Sequence, residues 1–326
     1  MPTDQLTTTP AYDLANGVLS AISGGAVPQI AAQIGVTTQA LDEAIRVYQA
    51  AGYNALERRA EHEWYQVRIQ FPNWQQAEGI GARELRPRLD HLQKTGAITG
   101  WWFLRKHPCW RIRVRCTEAE GTASAVESVL NELLAAGLIE RWWPTIYEPE
   151  IAAFGGGIGM NTAHELFCAD SRGVLDYIQH PRPALGPREL SILLCIAMMR
   201  AAGLDSFECG DVFDHVTRIR PPLTTAATTQ IGKLASSIRT LINIPAHLDA
   251  ALFAPSGAAE HARPWLAAFE KAGRDLGDAA SSGTLERGVR AVFTHILIFH
   301  WNRLGLSAST QSTLARAAAL AVLPWS

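Results

Sequence analysis

The stretch from Tyr147 to Ser171 holds the residues of this chain best suited to chemistry. It reads YEPEIAAFGGGIGMNTAHELFCADS and combines four carboxylates with a tyrosine, a histidine, a serine and a run of glycines. Glycine loses more conformational entropy on ordering than any other residue, so an ordered glycine run indicates close approach of the backbone to something. A tight turn with solvated acids is the alternative.

Glu148 and Glu150 flank Pro149, which removes a backbone donor and favours extended backbone before it. Extended spacing predicts that both carboxylates lie on one side at the end of a strand, where they could act as acid and base or hold a cation. Ion pairing with nearby arginines is the alternative. The following GGGIG matches neither a phosphate loop nor a dinucleotide fingerprint. Its free N–H groups, before a helix that Asn161 could cap, are suited to an oxyanion.

Two helices carry polar side chains on apolar faces. On the first, His164, Phe167, Cys168 and Ser171 share a face, which is also typical of a satisfied core histidine. A long helix near the C-terminus carries His300, and three and seven residues later Arg303 and Ser307, so these side chains share one face. His295, Phe299 and Asn302 form an adjacent stripe. Because charges in an apolar helix need partners, we expect HWNR to line a cavity or pair with the YEPE acids.

Composition excludes several classes of protein. The 326 residues are 48% hydrophobic, and the net charge of -2 gives no general reason to bind nucleic acid or a membrane. No apolar run is long enough to span a bilayer, and the first ten residues lack a signal region, so we expect a cytoplasmic protein. The five cysteines form no CxxC pair, and no metal site is predicted.

Three regions follow from periodicity. Residues 1–63 predict a helical N-terminal region resembling a helix-turn-helix, with Gly35 at the turn and Thr37 as N-cap; Asp42 and Glu43 then argue against DNA binding. Residues 64–150 read β-α-β-β-α-β, a ferredoxin-like unit. Residues 151–326 are mostly helical, and we expect them to pack on that unit and complete a cavity. The predicted class is α+β.

The hairpin of the ferredoxin-like unit is basic. Arg111, Arg113 and Arg115 alternate with apolar residues, so they share one face of their strand. An edge of this kind suits an extended acidic peptide, which would dock by strand addition and charge pairing. A solvated polar face is the alternative.

Several segments occur in a family-like order between residues 64 and 310: WYQVRIQF, GWWFLRKHPCWRIRVR, YEPEIAAFGG with AHELFCADS, and HWNRLGLS. Together they resemble the thiopeptide-type bacteriocin biosynthesis family, stand-alone relatives of the C-terminal elimination domain of lantibiotic dehydratases. Elimination enzymes of this type remove glutamate from glutamylated Ser or Thr. They use an arginine matching Arg105, a second at the position of Pro149, and a histidine at the position of Ile298. The last two are missing here, although His300 lies two residues beyond Ile298.

The pyridine synthases of thiopeptide assembly carry YEPE, AFGG and AHELF with a following Asp-Ser, and resemble this chain better. The resemblance implies a formal aza-cycloaddition of Diels-Alder type between two dehydroalanines of a precursor peptide. Water is then lost and the leader peptide is expelled, and no cofactor is required. A split glutamate-elimination enzyme and a non-catalytic scaffold for the precursor peptide remain the alternatives.

We assign candidate roles on this basis. We expect Tyr147 and His300 to transfer protons. Ser307 and Asn302 are expected to form hydrogen bonds to the iminol or the leaving hydroxyl. We expect the charged side chains that hold this network to be Glu148, Glu150 and Arg303. Substrate contacts are expected from Arg105, Phe154, Gly155, Gly156, Gly157, His164, Asp170, Ser171 and Trp301, and leader contacts from Arg111, Arg113 and Arg115.

Overall fold

The computed structural model describes the backbone of residues 11–223 and 225–323, and within these the side chains other than 11, 12, 50, 51, 53–62 and 225–227. The chain divides into two compact units, Met1–His62 and Glu63–Ser326. The helices are α1 (Ala11–Ile22), α2 (Val27–Ile34), α3 (Thr38–His62), α4 (Ala77–Ile80), α5 (Arg86–Lys94), α6 (Ala119–Ala135), α7 (Gly156–Gln179), α8 (Pro187–Ala201), α9 (Ser206–Ile219), α10 (Thr225–Ile242), α11 (Arg263–Ser281), α12 (Val289–Arg303) and α13 (Ala308–Val322). The strands are β1 (Trp64–Gln70), β2 (Ile98–Lys106), β3 (Cys109–Cys116) and β4 (Arg141–Thr145).

The N-terminal unit consists of α1, α2 and α3. Gly35 ends α2 in the left-handed region with φ +71°, and the Thr37 hydroxyl accepts the Ala40 N–H at 3.1 Å before α3, in line with the predicted turn and cap. Asp42 and Glu43 are exposed on α3. The buried core of this unit is small: Val18, Ile30, Ala31 and Leu41.

The larger unit contains an antiparallel four-stranded sheet in the order β2-β3-β1-β4. With α5 and α6 as the two crossovers, this is the predicted β-α-β-β-α-β arrangement, and the α+β class is confirmed. The expectation that an acidic peptide adds as a strand beside the arginines of β3 is wrong. β3 lies between β2 and β1, so both of its backbone edges are already paired.

One face of the sheet packs on α5, α6 and the turn before α5. The indole N–H of Trp101 donates to Asp90 of α5 at 2.9 Å, and Trp110 stacks on Phe103 with ring centroids 4.5 Å apart. Gly81 lies over Trp110, where a Cβ would be only 2.6 Å from the indole ring. This position therefore requires glycine for close packing.

On the opposite face, α7 and α12 pack against β2. The Ser171 hydroxyl accepts the N–H of Phe103 at 3.0 Å, and Arg303 Nε donates to the carbonyl of the same residue at 2.9 Å. At Phe103, the outer backbone edge of β2 is thereby satisfied by two side chains from different helices. This fixes α7 and α12 relative to the sheet.

Three local predictions near the candidate site are wrong. The fourth strand ends at Thr145, before Tyr147, so Glu148 and Pro149 follow the strand and do not form its end. α7 begins at Gly156 with Gly155 at the N-cap position, so Asn161 is inside the helix and does not cap it. The predicted long helix that includes HWNRLGLS is shorter than expected, because α12 ends at Arg303 and Gly305 turns the backbone with φ +75°. Ser307 then caps α13 and does not continue the His300 face.

Across the residues that the structure describes, no helix combines the length and apolarity needed to cross a bilayer.

Gly173 provides a test of the packing between α7 and α11. A Cβ at this position would lie 2.3 Å from the Trp265 indole, so Gly173→Ala must displace one helix. We expect a loss of about 1–3 kcal/mol in the free energy of unfolding, measured by urea denaturation. Gly157→Ala is the matched control, because a Cβ there meets nothing within 4 Å. Equal stability of the two variants would contradict this packing.

Candidate active site

Tyr147 and His164 form a buried pair at the chemistry-rich stretch. The Tyr147 hydroxyl lies 2.8 Å from Nε2 of His164, and the side chains are 3% and 4% exposed. Tyr147 follows the end of β4, whereas His164 projects from α7. Trp64 of β1 packs against both, with its ring centroid 4.6 Å from the imidazole and 6.4 Å from the phenol. One hydrogen bond therefore joins the YEPE and AHELF motifs.

The guanidinium of Arg113 contacts two aromatic rings. Its Cζ is 4.1 Å from the centroid of Trp102 and 4.3 Å from that of Tyr147, and the two rings are nearly perpendicular, so Arg113 makes two cation–π contacts at their corner. Arg113 Nε donates to Gln66 at 2.7 Å, whereas Nη1 is buried and has no protein partner. A buried unpaired donor is uncommon and indicates a place where a ligand oxygen can bind. Tyr147, His164 and Arg113 thus form the core of the candidate site.

Burial dominates the protonation of this core. It lowers the pKa of His164 to about 3, with Arg115 and Arg113 adding to the effect, and it raises the pKa of Tyr147 above its usual value. Burial also lowers the pKa of Arg113 to about 10, which leaves the guanidinium charged near neutral pH. The pair is therefore a neutral imidazole and a neutral phenol beside a fixed cation. Such a pair can pass a proton without creating a net charge.

A second buried cluster is centred on the Asp170 carboxylate of α7. It accepts from Trp265 Nε1 at 2.8 Å and His300 Nδ1 at 2.9 Å, and Arg303 donates to it through Nη1. Burial opposes the charge of Asp170, but His300 and Arg303 outweigh it, so the pKa of this carboxyl is lowered. The acid that pairs with HWNR is therefore Asp170, and the predicted pairing with Glu148 and Glu150 is not seen.

Ser191, His300 and Asp170 are connected like a nucleophile, base and orienting acid. His300 Nε2 lies 2.9 Å from the Ser191 hydroxyl, which also accepts the indole N–H of Trp301 at 2.8 Å. These four side chains are at most 1% exposed, and every nitrogen of His300 has a partner. Because both ring nitrogens of His300 are already bonded, it has no free donor or acceptor for a substrate. We therefore assign His300 and Trp301 to support of the fold and not to contact with substrate.

The remaining predicted catalytic residues lie apart from this core. The Ser307 hydroxyl accepts the Thr310 N–H at 3.1 Å as an exposed helix cap, and Asn302 accepts from Gln311 at 2.8 Å. Glu148 and Glu150 are both exposed. Within the residues that the structure describes, neither glutamate forms an ion pair, although Glu150 acts electrostatically on Tyr147 and Arg113.

The predicted substrate-binding residues are divided. Arg105 is buried and pairs with Glu78 of α4, so its charge is already neutralised. Phe154 is a core side chain against Phe167 and Phe299. Of the glycines, Gly155 and Gly156 hold positive φ of +82° and +90°, which the turn into α7 requires, while Gly157 is exposed.

The three hairpin arginines differ in environment. Arg115 is paired with Glu165 at 2.6 Å and Glu63 at 3.0 Å, and Arg113 is buried in the core of the site. Arg111 is half-buried and forms no ion pair with any described residue. The predicted row of free charges is therefore reduced to one arginine. Five further residues of these two clusters were not predicted from the sequence, because they lie on elements outside the motifs with candidate chemistry: Trp64, Gln66, Trp102, Ser191 and Trp265. In the sequence, only strand and helix periodicity indicated that they are buried.

Comparisons with known proteins agree with this fold. A family model described as lantibiotic biosynthesis dehydratase C-term matches residues 64–322. A search of curated proteins found no match. The structure resembles the tRNA-dependent lantibiotic dehydratase MibB from Microbispora sp. 107891 (TM-score 0.62, 18% identity, 81% of this chain and 28% of that one). It also resembles TsrL (TM-score 0.55, 17% identity, 79% of this chain and 94% of that one). A third similar structure is the pyridine synthase TbtD from thiomuracin biosynthesis (TM-score 0.56, 15% identity, 81% of this chain and 98% of that one). The chain thus spans just over a quarter of the dehydratase, and these likenesses show the fold.

The low pKa of His164 predicts a pH dependence of stability. The unfolded imidazole binds a proton below about pH 6.5, but the folded one does so only near pH 3, so falling pH favours the unfolded state. Between pH 6.5 and 4.5 the wild type should lose up to about 1.4 kcal/mol per pH unit relative to His164→Gln. Urea denaturation across this range measures the difference. The exposed His247 provides the control variant His247→Gln, which should follow the wild type; a pH-independent difference for His164→Gln would contradict a neutral imidazole.

The Asp170 cluster predicts a large effect of neutralisation. Asp170→Asn leaves Arg303 buried without its counter-charge, so we expect a loss of about 3–5 kcal/mol in the free energy of unfolding near neutral pH. Because the folded pKa is lowered, this advantage of the wild type should shrink as pH falls below about 3.9. Asp176→Asn removes a more exposed carboxylate paired with Arg86 and should cost at most about 1 kcal/mol. Similar losses in both variants would mean that the cluster is not a buried ion network.

Proposed function

Because the chain belongs to the lantibiotic biosynthesis dehydratase C-terminal family, we propose that it modifies a precursor peptide as a pyridine synthase of thiopeptide assembly. The reaction joins two dehydroalanines by formal aza-cycloaddition. An amide next to one dehydroalanine tautomerises to an azadiene, the ring closes, water leaves, and loss of the leader peptide as an amide aromatises the ring.

The state of the three elimination positions carries this proposal. Glutamate elimination needs cations for the leaving carboxylate and a base for the α carbon. Arg105 is already paired with Glu78, Pro149 carries no charge, and Ile298 is a buried aliphatic side chain. None of the three positions offers a free group for that chemistry. A site lacking the means to form dehydroamino acids is better suited to a reaction that consumes them.

The Tyr147–His164 pair supports the proposal by its protonation state. Amide-to-iminol tautomerisation moves a proton from nitrogen to oxygen and needs a donor and an acceptor, both neutral before and after the step. A phenol hydrogen-bonded to a neutral imidazole meets this need. We assign proton transfer to Tyr147, with His164 as the group that orients its hydroxyl and shares its proton.

Arg113 and the turn before α7 complete the proposed site. The unpartnered Nη1 of Arg113 can donate to a carbonyl or iminol oxygen of the substrate, which stabilises negative charge developing there. Beyond Tyr147, the largely exposed Glu148 to Ala152 segment offers backbone beside which a peptide can lie, whereas Gly155 and Gly156 are buried against Leu285 and Glu286. Holding two distant dehydroalanines in contact is mainly an entropic task, which such a surface can perform.

Mass spectrometry of the purified protein tests the proposed reaction. A leader-bearing peptide with two dehydroalanines should yield a macrocycle and the free leader amide. If the only activity is loss of glutamate from a glutamylated peptide, the protein is an elimination enzyme and the proposal is wrong. Binding of the peptide with neither reaction would identify a scaffold and would equally contradict it.

Tyr147→Phe tests the assigned proton transfer. It removes only the hydroxyl and keeps the ring beneath Arg113, so the fold should survive while kcat falls about 10²-fold or more. Tyr177→Phe is the matched control, since that hydroxyl lies near the C-terminal end of α7 and donates to the Leu185 carbonyl, and its kcat should be unchanged. Normal turnover by Tyr147→Phe would remove this residue from the mechanism.

A further inference from the structure

On the α7 side of the sheet, residues that are direct partners on neighbouring strands form three successive rows across the strands. Two of these rows pair an arginine with a glutamine, and the row between them does not. Row one pairs Arg113 of β3 with Gln66 of β1, and its Gln66 accepts from Arg113 Nε at 2.7 Å. Row three pairs Gln70 of β1 with Arg141 of β4, and its Gln70 accepts from Arg141 Nε at 2.9 Å. In both rows an arginine lies opposite a glutamine that accepts from its Nε.

Row two, between them, places two arginines opposite each other. Arg68 of β1 is the direct partner of Arg111 of β3. Like charges directly opposite in an antiparallel pair are destabilising, and each guanidinium lacks an ion pair among the described residues. Arg68 Nε is in addition buried without any hydrogen-bond partner. The alternation of β1 thus reads Gln66, Arg68, Gln70, with a cation where the neighbouring rows have an acceptor.

The surroundings of row two leave it open to a ligand. Arg68, Arg111 and Trp143, the β4 partner of Arg68, are half-buried, so their side chains reach solvent. Leu104 of β2 forms the other end of the row and is buried. Burial and repulsion by Arg68 lower the pKa of Arg111, and Glu150 opposes this from outside the sheet. Two cations between apolar flanks suit a planar anion with two oxygens, because guanidinium groups bind carboxylates in a bidentate manner.

We propose that Arg68 and Arg111 together form a subsite for an acidic side chain of the peptide substrate. The proposal rests on the proposed function, which makes a peptide the ligand. In this proposal the peptide binds to side chains of β1 and β3. It does not add as a strand, because β3 lies in the interior of the sheet. The carboxylate would neutralise the repulsion in row two and supply the acceptor that Arg68 Nε lacks. Binding therefore removes a destabilising feature of the free protein.

Arg68→Gln gives two opposite expected changes. A glutamine at position 68 can accept from Arg111 as in rows one and three, so the thermal midpoint of the free protein should rise by about 1–3 °C. Binding of an acidic peptide should weaken roughly tenfold or more. The probe is a fluorescein-labelled, C-terminally amidated ten-residue peptide in which Glu alternates with Ser, measured by fluorescence anisotropy at low salt. Arg111→Gln should weaken binding similarly, and Arg274→Gln, a surface arginine of α11, should not.

Several outcomes would overturn this inference. Undiminished binding by Arg68→Gln, a lower thermal midpoint for it, or equal binding of a peptide with Gln in place of Glu would each contradict the subsite. Restored binding of that Gln peptide when its C-terminus is a free carboxylate would assign the pair to a chain terminus. Inorganic phosphate or a single-stranded oligonucleotide could also displace the labelled peptide. If either does so at a lower concentration than unlabelled peptide, and only when Arg68 is present, the arginine pair is a phosphate site.

The binding measurement is independent of turnover. If the acidic peptide binds through Arg68 but no macrocycle forms, the proposed function fails and the subsite stands. If the macrocycle forms and Arg68→Gln binds the peptide as the wild type does, the subsite fails alone.

Discussion

The buried carboxylate of Asp170 joins the parts of the larger unit. It lies on α7 and binds Trp265 of α11 and both His300 and Arg303 of α12. Arg303 then continues to the carbonyl of Phe103, so the chain of contacts ends on the edge strand β2. A buried charge is stable only if its partners are held in place, which means that α7 cannot shift without breaking this network. The position of His164, on the same helix, depends on it.

The candidate site differs in character from this network. In the Asp170 cluster the carboxylate compensates the charge of Arg303 and both ring nitrogens of His300 are bonded, although Nη2 of Arg303 has no partner. The Tyr147–His164 pair is instead neutral and lies beside Arg113, which forms no ion pair with any described residue and has an unpartnered Nη1. Compensated charge is typical of a support that resists change. A buried cation without a counter-charge is typical of a place where something binds, because burial of a charge costs free energy unless a partner satisfies it.

Sequence patterns predicted the fold better than the site. Period-two alternation in β1, β2 and β3 and the helices between them led to the correct β-α-β-β-α-β order, because burial of one strand face and one helix stripe is a local consequence of the chain. The predicted face of His164 and Ser171 on α7 is also buried, together with Asp170. Of the two environments expected for HWNR, pairing with the YEPE acids was wrong, because helical spacing shows that a charge needs a partner but not which distant residue provides it.

The failed details have the same origin. HWNRLGLS was read as continuous helix although Gly305 ends it with a positive φ, and the WRIRVRC arginines were read as an open edge although β1 covers that side. Glycine permits helix and turn alike, and alternation gives the faces of a strand but not its neighbours.

By itself the sequence determined the elements, the acid-rich and glycine-rich turn before α7, and the absence of the second arginine and of the histidine at the elimination positions. Only the tertiary structure decided that His300 is buried with both ring nitrogens bonded, that Arg113 contacts Trp102 and Tyr147, and that Arg68 faces Arg111. Residue types and their local order are written along the chain. Burial, pairing and charge compensation arise between segments far apart in it, and these decide which of the reactive groups remain free.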